Sequence, residues 1–510
     1  MEKRCIQLLK CGNNIKHGGN KMKDINTRKT KIVGTIGPAS ESKEILRELM
    51  KSGLNVARIN FSHGGYEENK EKIDNIKAVR EELDLPVALM LDTKGPEIRT
   101  GKQESGDEKV EIKEGTKFTF VYDEIIGDET KTSISYKNLY NEVKPGSRIL
   151  VDDGAIEFKV IEVKDKDIVC EAINTGLLGS RKTVNVPGLS LELPAVSEKD
   201  RIDILNGIKA DFDFIAASFV RRASDVQEIR KLLDENGGEE IKIISKIESQ
   251  EGIDNIDEII EVSDGIMVAR GDMAVEIPFE RVPLVQKSFV KKCNRVGKPV
   301  IIATQMLETM MSNPRPTRAE VSDVANAVYD ETNAIMLSGE CAIGSYPVEC
   351  VKTMDKIATA VDNDMNLWKR FTRRAQERGI LNPNIVSTDL ESSIARTTCV
   401  TALQINADAI AAYTHSGASV TRIAGLRPKC PIIAVTDSRK RYYQMAVSWN
   451  VYPILIEGEE TAEETLHIGV RTLKQKGILE KGDTILLSGG PNRILTGHSQ
   501  SKALGGVVRV

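Results

Sequence analysis

Short apolar runs rich in β-branched residues recur along the chain, and each one stops at polar side chains. Three come early, at 31–35, 55–60 and 87–91. After a gap, five more follow at 213–217, 241–245, 265–269, 300–303 and 334–337. Amphipathic stretches of helical period lie between them. Near-continuous apolar strands alternating with helical crossovers predict eight βα units closed into a parallel barrel, whose chemistry gathers where the strands end.

The gap, about 96–194, is too long for a loop. It alternates over 117–122 and 148–151 and carries a turn at Asp152, Asp153 and Gly154, which predicts a small β domain inserted after the third strand. Pro96 near its entry, with Pro187 and Pro194 near its exit, suggests two stiffened connections about which it swings as a lid. After about residue 365 the pattern changes to a helical stretch at 391–406 and strands at 408–413, 431–436, 451–456 and 483–487. The predicted fold is therefore α/β, a (β/α)8 TIM barrel (24–96 and 195–365) with an inserted β-barrel lid (97–194) and a C-terminal α/β sandwich (366–510). Residues 1–23, rich in Lys, Asn and Gly, read as a disordered extension, with Met22 a candidate translation start.

Composition acts mainly by exclusion. With 510 residues, 40% of them hydrophobic and 29% charged, the chain has the balance of a soluble multidomain protein. A formal charge of −4 gives no footprint for nucleic acid or an anionic membrane, so any phosphate site must be local. Eight cysteines without CxxC pairs argue against zinc or a disulfide framework. The short apolar patch at 6–9 cannot form a signal-peptide core, and no run long enough to span a membrane occurs. A cytoplasmic protein is expected.

Candidate chemistry sits at or just behind the strand ends, in Arg58, Asn60, Ser62, Asp92, Thr93, Lys94, Ser218, Lys246, Glu248, Asp272, Thr304, Ser338 and Glu340. Lys246, Glu248 and Asp272 combine one cation with two oxygen ligands, which suits a divalent metal beside a developing negative oxygen, the outline of an enolate site. Taken alone, the same stretch also reads as buried strands with solvated charged ends.

Eight segments remove that ambiguity: ARINFSH (57–63), LDTKGPEIRTG (91–101), LPAVSEKD (193–200), IISKIES (243–249), MVARGD (267–272), ATQMLETM (303–310), PRPTRAEVSDVANAV (314–328) and MLSGE (336–340). Together, in this order, they resemble the pyruvate kinase family over roughly residues 28 to 500. The resemblance implies phosphoryl transfer from phosphoenolpyruvate to ADP, giving ATP and, after protonation of the enolate, pyruvate. It implies Mg²⁺ (or Mn²⁺) on Glu248 and Asp272, Lys246 facing the bridging oxygen, and Arg58 on the moving phosphate. It also implies K⁺ on Asn60, Ser62, Asp92 and Thr93, an assignment supported by Glu97, because members that need no K⁺ tend to carry lysine there. Nucleotide phosphates are expected near Asn60, His63, Arg99 and Lys182, although His63 and Lys182 also read as solvated surface residues. Thr304 and Ser338 suit either a proton relay or simple hydrogen bonds to substrate. Gly271, lacking a side chain, lets backbone N–H groups approach the substrate carboxylate.

Thr414, Ser416, Gly417 and Ser419 lie between a strand and a helix start, where hydroxyls and free N–H groups suit either an anion site or a plain helix cap. The resemblance favours a sugar-phosphate effector there, with Gly489, Gly490, Arg493 and Gly497 as a flap, in a homotetramer. The chain departs from the family at Ala274, Glu331 and Asn333, where Gly, Gly and Asp are usual. A non-catalytic metabolite sensor and a metal-dependent aldol-type lyase are the competing functions. The first is opposed by the reactive residues retained together, the second by the inserted nucleotide lid.

Overall fold

Eight parallel strands hydrogen-bond in the closed order β1-β8-β7-β6-β5-β4-β3-β2, each beside its neighbours in sequence. They are Lys31–Thr35 (β1), Val56–Asn60 (β2), Ala88–Asp92 (β3), Phe214–Ala217 (β4), Lys242–Ile247 (β5), Gly265–Ala269 (β6), Val300–Ala303 (β7) and Ala334–Leu337 (β8). The chain is described here from a computed structural model over residues 28–62, 64–106, 108–377, 390–456, 462–475, 477–489 and 505–509. β1, β6, β7 and β8 start and stop where the apolar pattern predicts. β5 runs two residues further, so Lys246 stands on the strand and its direction is fixed by the ladder.

The strands obey a period of two. Val33, Val56, Met90, Phe214, Ala216, Met267, Ile301 and Ala334 fill the barrel interior. The alternate residues, among them Ile32, Leu89, Ile215, Ile243, Ile266, Ile302 and Ile335, pack outward against the helices. Small alanines pack beside Phe214 and the methionines Met90, Met267 and Met336 in that interior. Tyr442, Tyr443, Ala446 and Val447 join the same interior cluster, so a C-terminal segment packs against the barrel core from outside the βα series. Arg80 stacks 3.5 Å from the Tyr443 ring and reaches Asp213 at 3.2 Å, fastening that segment.

Between β3 and β4 lies a seven-stranded sheet whose end strands, Ile98–Arg99 and Lys131–Ser133, are linked by the bridge Thr100–Ile134. Phe118, Phe120 and Phe158 centre its separate core. Its exit strip is pinned: the Arg221 guanidinium donates to the carbonyls of Leu191 (2.9 Å) and Leu193 (2.7 Å), and Ser190 donates to Glu251 at 2.8 Å. Proline stiffness alone is therefore not what holds that connection. The last sheet orders Val451–Leu455, Ile432–Thr436, Ala409–Tyr413, Thr484–Gly489 and Gly505–Arg509, the final strand antiparallel. The pattern had not predicted that fifth strand. Among the described residues no helix is long and apolar enough to cross a membrane.

Of the departures from the family, Glu331 and Asn333 precede β8, at the opposite end of that strand from Ser338, whereas Ala274 lies two residues beyond Asp272. Ala274 is exposed on the helix Arg270–Glu276. Glu331 sits at φ +71°, where a glycine is at ease and an L side chain is strained. Its carboxylate pairs with Arg374 at 2.6 Å and Arg370 at 3.1 Å, both on the helix Leu367–Glu377. Burial raises its pKa, but the arginines outweigh that and hold it below the ordinary range. Asn333 accepts from Arg427 at 3.0 Å in the same seam. Glu331→Gly relieves about 1–2 kcal/mol of backbone strain but strands the buried Arg374 at a cost of about 3–5 kcal/mol. The expected net loss of about 2 kcal/mol is read as a lower denaturant midpoint. A midpoint unchanged or raised would mean that the arginines find other partners.

Candidate active site

The polar strand ends converge on one network. Arg58, in the middle of β2, donates from Nε to Asp92 Oδ2 (2.7 Å) and from Nη1 to Thr35 Oγ1 (2.7 Å). The other oxygen of Asp92, on β3, accepts from Lys246 Nζ at 3.1 Å. Burial pushes the Asp92 carboxyl up, but Arg58 and Lys246 together outweigh it and hold it below its usual value. Lys246 Nζ also donates to Ser218 Oγ at 2.7 Å and lies 3.0 Å from Glu248 Oε1. Burial disfavours the ammonium, yet Asp92 and Glu248 prevail and raise its pKa. Lys246 is therefore a fixed cation.

Glu248 is fully buried and behaves in the opposite way. Burial first, opposed by Lys246 and reinforced by the like charge of Asp272, pushes its carboxyl up to about 7. Its Oε2 accepts the Phe219 N–H at 2.6 Å. Its Oε1, close to Lys246 but out of line for a hydrogen bond, has no hydrogen-bond partner. A buried carboxylate oxygen left without a donor is costly unless something else satisfies it. Asp272, on the helix after β6, lines a cleft of about 250 Å³ with Phe219, Asn185, Leu189 and Glu276. Among the described residues no three acidic, histidine or cysteine side chains cluster as a metal cage. Two carboxylates, one of them unsatisfied, fit a hard divalent ion that keeps water and substrate oxygens for its other positions.

Thr304 follows β7 with φ +73°, and Gln305 with φ +54°, a strained turn for a β-branched residue. Arg270 holds it by donating to the Thr304 carbonyl at 2.6 Å. Thr304 Oγ1 accepts the Gly271 N–H at 2.8 Å and donates to the Ala303 carbonyl, so that N–H meets a hydroxyl. Ser338 follows β8, and its N–H donates to Glu340 Oε2 at 2.7 Å while Oε1 accepts the Leu307 N–H at 3.1 Å. Glu340 thus staples the turns after β7 and β8 together.

Asn60 and Asp92 are register partners at the ends of β2 and β3. Asn60 Oδ1 accepts the Ser62 N–H at 3.1 Å, and Thr93 Oγ1 accepts the Ser218 N–H at 3.0 Å. On the inserted sheet Glu97 accepts twice from Arg99, at 2.8 and 2.6 Å, and Lys182 Nζ lies 2.9 Å from Asp152. His63 lies outside the described residues, as do Gly490, Arg493 and Gly497. In the last sheet the Gly417 N–H donates to Thr414 Oγ1 at 2.8 Å, the Ala418 N–H to Ser416 Oγ at 3.4 Å, and Ser419 Oγ to the Tyr413 carbonyl at 3.2 Å. Those bonds are local to the turn that leads into the helix Ala418–Gly425, whose N-cap is Gly417.

Sequence reasoning named Glu340 among the strand-end candidates and missed the parts played by Thr35 and Phe219. Thr35 ends β1 and was open to the strand-end argument. Phe219 acts through a backbone N–H at φ +55°, which no residue-type signal announces.

Family models describing the pyruvate kinase barrel domain and the pyruvate kinase alpha/beta domain match residues 27–351 and 392–500. The chain is 50% identical to the pyruvate kinase of Clostridium acetobutylicum over 464 residues, 91% of this chain and 96% of that one. It is also 50% identical to a pyruvate kinase of Staphylococcus epidermidis over 465 residues, 91% of this chain and 78% of the relative. A crystal structure of a pyruvate kinase from Cryptosporidium parvum superposes with TM-score 0.88 at 37% identity, covering 95% of this chain and 96% of that one.

Proposed function

The chain belongs to the pyruvate kinase family, and from that premise we propose that Arg58, Lys246, Glu248, Asp272, Thr304 and Ser338 carry its reaction. That reaction, the last step of glycolysis, moves the phosphoryl group of phosphoenolpyruvate to ADP and yields pyruvate and ATP. The observation that carries the assignment is the Lys246 ammonium held 3.0 Å from a buried Glu248 oxygen that no donor satisfies.

Phosphoryl transfer asks for in-line positioning and neutralised oxygens more than for covalent help. Arg58 has Nε and Nη1 fixed by Asp92 and Thr35, so its position is set before substrate arrives and its remaining edge meets the moving phosphate. Lys246 faces the bridging oxygen, where charge collects as the phosphoryl group leaves. In a closed, water-poor cleft that ammonium is worth far more than in bulk solvent. Glu248 and Asp272 would hold the divalent ion, Mg²⁺ or Mn²⁺, which would supply Lewis-acid stabilisation of developing negative charge. The Gly271 N–H orients the substrate carboxylate, and Thr304 and Ser338 stand where a proton reaches the enolate carbon or where hydroxyls hold the substrate. The lid, residues 97–194, brings Arg99 and Lys182 to the nucleotide phosphates and dries the site. A coupled assay for pyruvate from phosphoenolpyruvate and ADP, with Mg²⁺ and K⁺ present, tests the whole reading. No turnover there would leave the sensor alternative standing.

Asn60, Ser62, Asp92 and Thr93 gather oxygen ligands for K⁺. Glu97, occupied with Arg99, brings no ammonium that would replace the ion. The expected result is activation by K⁺ of at least about tenfold over sodium or Tris, as befits loss of a positioning charge. Full activity with either as the only monovalent cation would overturn it. The remaining proposals are a cytoplasmic homotetramer and a sugar-phosphate effector at Thr414, Ser416, Gly417 and Ser419. Kinetics unchanged across sugar phosphates would leave those residues as a helix cap.

A further inference from the structure

Three oxygens surround the Lys246 ammonium: Asp92 Oδ1 at 3.1 Å and Ser218 Oγ at 2.7 Å accept from it, and Glu248 Oε1 stands 3.0 Å away as an ion-pair partner out of line for a hydrogen bond. Two of those oxygens are charged and needed elsewhere. Asp92 is shared with Arg58, and Glu248 is the carboxylate that a divalent ion would take over. Ser218 is the closest of the three, neutral and only 5% exposed.

Its hydroxyl and backbone are both engaged. Ser218 Oγ has the Thr93 carbonyl at 2.6 Å and Asp92 Oδ1 at 3.3 Å; donation to the nearer carbonyl turns a lone pair toward the ammonium, and the Ser218 N–H donates to Thr93 Oγ1 at 3.0 Å. The following residue, Phe219 at φ +55°, delivers its N–H to Glu248 Oε2 at 2.6 Å. Val220 then donates to the Lys246 carbonyl at 3.3 Å. Three consecutive residues of one turn therefore hold the lysine head, the carboxylate and the backbone between them. Room for the turn comes from Gly95 at φ +74°, where a Cβ would stand 2.7 Å from the Phe219 ring and 2.9 Å from Ser218 Cβ.

Resting on the functional reading above, we propose that Ser218 is a positioning residue. Its hydroxyl is the neutral anchor that keeps the Lys246 ammonium aimed at the substrate oxygen when Glu248 is given over to the divalent ion. Without it the lysine leans on its two carboxylates. That costs aim during the reaction and makes Glu248 harder for the ion to claim.

The test uses the full chain with Ser218→Ala, Ser218→Cys, which keeps the shape with a poor acceptor, and Ser218→Thr, which keeps the hydroxyl. For Ala and Cys, kcat is expected to fall about 10- to 100-fold, the usual effect of losing an outer partner of a metal site, with KM for phosphoenolpyruvate within about threefold. MnCl₂ titrated into the protein without substrates should bind about 3- to 10-fold more weakly to both. Thr should restore most of both losses. Unchanged kcat and unchanged Mn²⁺ binding in Ala and Cys would overturn the proposal. So would losses that simply follow a lowered melting midpoint, or that appear equally in Thr. Should the parent chain make no pyruvate, the functional reading fails, while the Mn²⁺ titration still decides whether Ser218 governs the Lys246–Glu248 pair.

Discussion

Lys246→Ala lowers kcat by about a thousandfold and leaves KM for phosphoenolpyruvate within a few fold, a split set by when the charge on the bridging oxygen appears. In bound phosphoenolpyruvate that oxygen is an ester oxygen with little for an ammonium to attract. As the phosphoryl group departs, it gains most of a unit charge. A cation about 3 Å away acts through an effective dielectric near 20 and gains roughly 5 kcal/mol, most of it at the transition state. About 4 kcal/mol corresponds to three decades of rate. The side chain is held by three partners, so little reorganisation is required at the moment of reaction. Steady-state kinetics with saturating metal, checked against the variant's melting midpoint, reads the split. Normal turnover with weakened substrate affinity would place the role of Lys246 in binding and sink the mechanism.

The barrel was legible because burial on both faces leaves strands nothing but apolar residues, and their ends are then marked by the first polar ones. Where that contrast was sharp, as at Gly265–Ala269 and Ala334–Leu337, the boundaries came out directly. It failed where a polar residue belongs to the strand. Lys246 read as the residue after β5 because a lysine ends an apolar pattern, whereas its ladder partner Met267 shows that pairing continues through it. Gly505–Arg509 escaped for a different reason: it is short and pairs antiparallel with Thr484–Gly489, a partnership that no local period reveals.

The candidate site was legible in residue types and hidden in backbone. Lys246, Glu248, Arg58 and Asp92 announce themselves as charges at strand ends, and the structure gathers them into one network. What fixes their geometry is less visible. The left-handed turns at Phe219, Thr304 and Gln305 depend on tertiary support from Gly95 and Arg270, not on their own side chains. Glu331 shows the converse case. The sequence flagged it only as a departure from the family's usual glycine, and the structure turns it into a partner for arginines of the helix Leu367–Glu377.

Glu248→Gln is expected to lower activity at least about a hundredfold while making the chain without metal or substrate more resistant to heat at pH 8. The two effects have one cause. In the fold this carboxyl titrates near 7, raised from its ordinary 4.5 chiefly by burial and then by Asp272. Between those two values the unfolded chain has already lost the proton that the native chain still holds. Stability from this group is therefore full below about 4.5, falls as pH rises through 7, and stays low above. The amide keeps the shape and an acceptor for the Phe219 N–H, Lys246 keeps Asp92 and Ser218, and nothing titrates. The advantage of the variant should thus be absent at acid pH and grow across that window. Divalent ions reverse the comparison: Mn²⁺ raises the melting midpoint of the parent chain at pH 8 by binding the native carboxylates, EDTA removes the gain, and the variant responds to neither. If the variant were less stable than the unliganded parent at pH 8, or if Mn²⁺ stabilised both alike, Glu248 would be an ordinary buried ion-pair partner and the divalent site would have to be sought elsewhere.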